Sequence, residues 1–290
     1  MKVSEIRNGL LLEGVKHFDA KQIFECGQCF RWSREEDGSY TGVAYGRVLN
    51  VKSDYDKETV ILHNTNLKEF EDIWYNYLDL GRDYGAIKDE LSKDETLRVA
   101  TIYGRGIRIL NQEPWELLIS FIISANNNIP RISKSINVLS KLFGEPIEYA
   151  GKTYYSFPTV DKLGTAELDQ IDLCKVGYRC KYIYQTSRMI DKGDVDLEKA
   201  AKLKTDSARK ELLLLSGVGP KVADCIMLFS MQKYDAYPLD VWVKRVTEYF
   251  YIHEDVSMKR IQDFAREKFG SLAGFAQQYL FYFARDQKIK

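Results

Sequence analysis

The strongest constraint on the fold is a change of hydrophobic rhythm near residue 67. Before it stand CFRWS, SYTGVAYG, RVLNVKS and TVILHNT, short runs rich in β-branched and aromatic residues. EEDGS, YGR and DYDKE separate them with turn-forming residues. After it, apolar residues return every three or four positions. LKEFEDIWYNYLDL, PWELLISFIISA, RISKSINVLSKLFG, ARKELLLL, KVADCIMLFSM, DVWVKRVTEYFY, MKRIQDFAREKF and FAQQYLFYFA all read as helices. Strands first and helices afterwards indicate an α+β fold with the two kinds of element segregated. The expected order is an N-terminal α+β domain over residues 1–100, built on an antiparallel sheet, then an all-α region over 101–290. A meander is the simplest arrangement of the strands.

Composition narrows the function classes. No run of about 18 apolar residues is present, so no membrane span is expected. The start, MKVSEIRNGLLLEGV, has too short an apolar stretch for a signal peptide. An intracellular, soluble chain is the expectation. Five scattered cysteines, Cys26, Cys29, Cys174, Cys180 and Cys225, argue against a disulfide framework. Cys26 and Cys29 form a C-x-x-C without a second ligand pair, and no four-cysteine cluster could hold iron–sulfur. Neither a metal nor another cofactor is expected. Net charge is zero, but residues 175–221 carry 11 Lys+Arg against 6 Asp+Glu, whereas residues 1–100 carry 14 against 19. A local basic surface of this kind suits a phosphate-bearing partner.

That basic stretch ends in LLLLSGVGPKVADC, residues 212–225. Gly217-Val218-Gly219 between two helical patterns reads as a tight turn. Gly219 is placed as the N-cap and Pro220 as the first helical residue. Exposed amides of such a turn form an anion site sized for a phosphate. Lys221 then lies in the first turn of a helix, where an ammonium is disfavoured. The helix dipole and burial both favour the neutral amine, the nucleophilic form. Asp240, 19 residues on, reads as the N-cap of the next helix. One helix out and a loop back could bring the two helix starts together, placing a carboxylate beside the amine.

These residues carry a family resemblance. Leu215-Ser216-Gly217-Val218-Gly219-Pro220-Lys221-Val222-Ala223-Asp224-Cys225, followed by Pro238-Leu239-Asp240-Val241, resembles the helix–hairpin–helix DNA glycosylase superfamily, and more narrowly the 8-oxoguanine DNA glycosylases. Gly27-Gln28-Cys29-Phe30-Arg31-Trp32, Asn126-Asn127-Asn128-Ile129 with Arg131, Gly177-Tyr178-Arg179, and Ala276-Gln277 with Leu280-Phe281 match in the family's order. The matches span residues 27–281.

The resemblance implies a helical region of two packed subdomains, with the helix–hairpin–helix at about 205–232. It also implies a bifunctional glycosylase and AP lyase acting as a monomer on duplex DNA that carries 8-oxoguanine opposite cytosine. Lys221 would attack C1′ and form a Schiff base, and Asp240 would assist departure of the base. The carbonyl of Gly27 would accept from N7–H of the lesion and repel N7 of guanine, which is an acceptor. Cys225, Gln277, Phe281 and Trp242 would line the base pocket. Asn126, Arg131, Tyr178 and Arg179 would handle the orphaned cytosine, and Gly217 and Gly219 would hold a phosphate. Trp242 departs from the family's best-known members, which carry histidine there. The competing readings are a glycosylase for another damaged base and a non-catalytic helix–hairpin–helix module. The missing iron–sulfur cysteines disfavour an endonuclease III-like enzyme.

Overall fold

The computed structural model describes residues 1–287. Among the described residues eight strands form two sheets. The larger has six antiparallel strands in the order β1-β2-β6-β5-β4-β3: β1 (Lys2–Ile6), β2 (Gly9–Glu13), β3 (Trp32–Arg34), β4 (Tyr40–Ala44), β5 (Arg47–Asp54) and β6 (Thr59–His63). Strands β3 to β6 are the expected meander. The first hairpin adds to it through β2, which pairs with β6 from Gly9↔His63 to Glu13↔Thr59. Leu10, Leu12, Leu49, Val51, Val60 and Leu62 alternate inward and build a small core with Phe18, Ile23 and Trp74.

Helical elements take over at Leu67, and the regions read as helices do contain helices. Three details differ from the sequence reading, the first being a helix, Ala20–Glu25, among the N-terminal strands. The stretch Phe70–Trp74 is π-helical inside a longer helical run, and so is Glu248–Ile252. A second, two-stranded sheet, β7 (Pro146–Tyr149) and β8 (Lys152–Tyr155), interrupts the helical region. Its loop is Ala150-Gly151, with φ of 50° and 73°, the left-handed pair that a two-residue hairpin requires.

One large core joins the helices. Pro114–Ser124 is buried on nearly every face and packs against Pro220–Ser230, while Ala273–Asp286 packs against Glu95–Tyr103. The chain therefore doubles back. Tyr84, Leu91, Leu97 and Ala100, all within the first hundred residues, join the larger core and not the sheet's core. Among the described residues no helix is long and apolar enough to cross a membrane.

A buried ion pair ties the two hairpin helices, Thr205–Leu212 and Pro220–Ser230. Asp224 is 1% exposed and accepts from Arg209 Nε at 2.9 Å and from Gln262 Nε2 at 3.3 Å. Burial raises its carboxyl to about 6, and Arg209 opposes the rise. The folded value thus lies above the ordinary 3.8. Asp224's own contribution to stability is full below pH 3.8 and is lost as pH rises through about 6. Arg209 limits that loss. Arg209→Met is expected to destabilise the protein by about 3 kcal/mol at pH 7.5, since it leaves a buried carboxylate unpaired. The deficit should shrink clearly at pH 5. Denaturant midpoints at the two pH values check both magnitude and sign.

Candidate active site

Three features of the chain converge on one cleft of about 720 Å³. The first is the hairpin. Gly217 has φ +78° and Gly219 is the N-cap of the helix beginning at Pro220, as the sequence implied. No neighbour would meet a Cβ added at Gly219, so the turn is open on that side. Lys221 follows at once, and its Nζ lies 5.0 Å from the centroid of the Phe121 ring. Burial pushes the Cys225 thiol up to about 11, and the adjacent Lys221 ammonium opposes the rise. Cys225 lies one helical turn after Lys221, so their side chains share a face.

The second feature is Asp240. It caps the helix Val241–Thr247, its Oδ1 accepting from Val243 N at 2.8 Å. Its Oδ2 has no protein partner among the described residues. One oxygen therefore holds the side chain in place while the other stays available. Lys221 and Asp240 line the same cleft, as the helix-out, loop-back geometry requires.

The third feature is the loop between the helix Ala20–Glu25 and β3. Gly27 has φ +91°, a conformation side-chain-bearing residues rarely adopt, and an added Cβ would lie 3.3 Å from Phe281 Cε1. The neighbouring carbonyls are paired: Cys26 O accepts from Gln278 Nε2 at 3.0 Å and Gln28 O from Gln112 Nε2 at 2.8 Å. Among the described residues no donor reaches the Gly27 carbonyl. Gln28 anchors the loop. Its amide donates to Ile23 O at 2.9 Å and Arg108 O at 2.8 Å, and it accepts from Leu110 N at 2.9 Å. Arg31 pairs with Glu116 at 3.3 Å, tying the same loop to the helix Pro114–Ser124. Burial raises Glu116 to about 7, against the pull of Arg31.

Phe281 and Trp242 close one end of the cleft, edge to face with ring centroids 5.0 Å apart. Gln277 and Cys225 are buried and do not line the cleft. Among the described residues Gln277 Oε1 has no hydrogen-bond partner, which is unusual for a buried amide.

The residues expected to meet an orphaned base lie beside this cleft. Asn126 has φ +49° and lines it. Arg131 is exposed and lines an adjoining groove of about 340 Å³ with Lys134, Lys175 and Arg179. Tyr178 is 56% exposed, an unusual placement for an aromatic ring unless it meets a partner. Arg179 differs from the expectation of a free fork. Its guanidinium is buried and donates to the carbonyls of Ala125, Asn126 and Val176. These bonds absorb most of its donors, so here it braces the Asn126 loop. Gln28 and Phe30 stand in the segment matched by sequence but were given no role there, and Phe121 was not singled out at all. Phe121 sits in an unbroken apolar run, which offers no periodic signal to separate a cleft wall from core.

The C-x-x-C cysteines are structural. Both are buried, and burial raises Cys26 to about 12. Among the described residues no cluster of His, Cys, Asp and Glu is arranged to hold a metal ion.

Comparison with known proteins identifies the family. The family model described as HhH-GPD superfamily base excision DNA repair protein fits residues 119–271. The chain belongs to that superfamily. A second model, 8-oxoguanine DNA glycosylase, N-terminal domain, fits residues 10–118. A solved 8-oxoguanine glycosylase/lyase from Clostridium acetobutylicum, in complex with duplex DNA containing cytosine opposite 8-oxoguanine, superposes with a TM-score of 0.97 at 50% identity. The match covers 100% of this chain and 99% of that one. The N-glycosylase/DNA lyase OGG1 of Arabidopsis thaliana is 30% identical over 273 residues, covering 89% of this chain and 75% of the relative. A probable N-glycosylase/DNA lyase of Methanothermobacter thermautotrophicus is 36% identical over 213 residues, 67% of this chain and 68% of its own. The helices Thr205–Leu212 and Pro220–Ser230 both lie within the residues matched by the HhH-GPD model.

Proposed function

We propose that this protein excises 8-oxoguanine opposite cytosine from duplex DNA and then cleaves the strand at the abasic site. The observation that carries the reading is the convergence of Lys221, Asp240, Gly27 and Phe281 on one cleft. The similarity to glycosylase/lyases over nearly the whole chain supports it. A non-catalytic hairpin module would need Gly217 and Gly219 but has no use for an amine and a carboxylate on the same wall.

Chemistry on a base requires its extrusion from the duplex. In the proposed reaction the Lys221 amine attacks C1′, the bond from C1′ to the base breaks, and the leaving base takes up the proton that the attacking nitrogen gives up. The free oxygen of Asp240 stabilises the cationic sugar as that bond lengthens. Ring opening gives a Schiff base to Lys221. Loss of a proton from C2′ then expels the 3′-phosphate by β-elimination, and water releases the lysine. Phe281 stacks on the extruded base with Trp242 packed against its edge, and Cys225 and Gln277 meet the base only if the cleft opens onto them. Asn126, Arg131, Arg179 and Tyr178 meet the orphaned cytosine, and the amides around Gly217 and Gly219 hold a backbone phosphate. Arg179 frees donors for the cytosine only if its bonds to Ala125 and Asn126 rearrange.

A division of labour between residues 1–100, which supply the lesion-reading loop, and 101–290, which supply the nucleophile and hairpin, is part of this proposal. The site of action is DNA within the cell, and the protein acts as a monomer.

Lesion selection rests on the unpaired Gly27 carbonyl. 8-Oxoguanine presents a donor at N7 where guanine presents an acceptor. Gly27→Ala is expected to cut the preference for lesion over guanine by about ten-fold, the effect of one lost or repelled buried hydrogen bond. Two causes combine: the strain of φ +91° and the crowding of Phe281. Competition binding of lesion and undamaged duplexes checks this, and an unchanged ratio rejects the carbonyl's role.

A further inference from the structure

The helix Arg179–Asp191 has two of the four orphan-base residues, Tyr178 and Arg179, at its N-terminal end and supports the catalytic turn along one face. Tyr178 precedes it and Tyr182 follows one turn later, the rings meeting edge to face with centroids 5.9 Å apart. The root of Tyr182 then lies directly under Gly217. A Cβ on Gly217 would come within 2.7 Å of Tyr182 Cβ and 2.8 Å of Cγ. On the same face, Thr186 Oγ1 donates to Ser216 O at 2.8 Å and Ser216 Oγ donates to Gln185 Oε1 at 2.6 Å. Ser216 and Gly217 are thus held by Tyr182, Gln185 and Thr186, and Lys221 follows four residues after Gly217. Arg179, also on this helix, fixes the carbonyls of Ala125 and Asn126.

We propose that Tyr182 is a positioning residue that couples the identity of the opposite base to the placement of Lys221. The inference rests on the proposed excision of 8-oxoguanine opposite cytosine. Tyr182 is 37% exposed, and a residue serving only as core would be buried in that contact. It lies between an exposed ring suited to wedging beside the orphaned base and a glycine with φ +78° that tolerates no side chain against it. When cytosine seats Tyr178, the edge contact holds Tyr182 and so the Ser216–Gly217 backbone. When a purine displaces Tyr178, the shift passes through Tyr182 to the turn. A displacement of about 1 Å at a reacting group lowers rates by about a hundred-fold, so a small shift at Gly217 suffices. Thr186 makes the coupling stiff by fixing the carbonyl of Ser216 to the helix.

The test compares single-turnover excision of 8-oxoguanine opposite cytosine and opposite adenine by the full chain. Tyr182→Leu is expected to lower the cytosine-to-adenine rate ratio by about ten-fold, within the usual range of coupling between sites. The loss should fall mainly on the cytosine substrate, with duplex affinity within about two-fold of the parent. Tyr182→Phe keeps the ring and should keep the ratio. Thr186→Val removes only the tie to Ser216 and should lower the ratio in the same direction. Should Tyr182→Leu fail to fold, as judged by its melting curve, Thr186→Val decides alone. An unchanged ratio in the folded variants overturns the proposal, whether the rates are untouched or fall equally opposite both bases, the latter being the signature of lost packing. A parent protein that releases no 8-oxoguanine at all defeats the functional reading, a different outcome from an active parent whose variants keep its ratio.

Discussion

Lys221→Gln eliminates covalent trapping by borohydride on a duplex carrying 8-oxoguanine opposite cytosine. Glutamine is one bond shorter and its amide nitrogen is not nucleophilic, so neither a Schiff base nor its reduced adduct can form. Excision should fall by at least about 10⁴-fold, the scale on which removing a covalent nucleophile acts. Binding should survive, because the turn amides and the open side of Gly219 do not depend on the side chain. Glutamine is also acceptable in the first turn of a helix, where an ammonium is disfavoured. The fold should therefore be retained or slightly stabilised. Trapping, single-turnover excision and duplex binding, measured together, separate chemistry from recognition. Trapping that persists in the variant would assign the nucleophile elsewhere.

Asp240→Asn is expected to slow excision by about 10²–10⁴-fold with the fold intact. This side chain has a double use. Oδ1 caps the helix Val241–Thr247 through Val243 N, and asparagine caps as well as aspartate. The second oxygen carries charge toward the cleft, and only that charge is lost. Asp240→Ala removes the cap too and should cost about 1 kcal/mol of stability. Comparing the two variants therefore separates the structural role from the catalytic one. An Asp240→Asn protein with the parent's single-turnover rate would leave Asp240 as a cap alone.

Much of the hairpin was legible because its signals are local. Gly219 as N-cap, Pro220 at the first position and Asp240 before Val241 each follow from the needs of a helix start. The strands β3 to β6 were legible for the same reason, since each meets its sequence neighbour. The two other hairpins were harder to see. The loop Arg7-Asn8 joining β1 to β2 lies before an apolar run, Leu10-Leu11-Leu12, that carries no clear alternation. The β7–β8 hairpin has largely exposed strands, so burial leaves little pattern in its sequence. Pairing of β2 with β6 joins residues some fifty positions apart, and nothing local specifies it.

The site divides along the same line. By itself the sequence determined that strands precede helices, that a glycine turn starts a helix on Pro220, and that Lys221 and Asp240 stand at helix starts. Those are properties of backbone sterics and orphan amide groups, settled within a few residues. Only the tertiary structure decided that both helix starts face one cleft, that Gly27 arrives there with an unpaired carbonyl, and that Gln277 keeps an unmet acceptor. It also decided that Arg179 braces the Asn126 loop and that Tyr182 bears on Gly217. These depend on close packing between elements distant in the chain, and a side chain's partners across such an interface leave no periodic trace in its own neighbourhood.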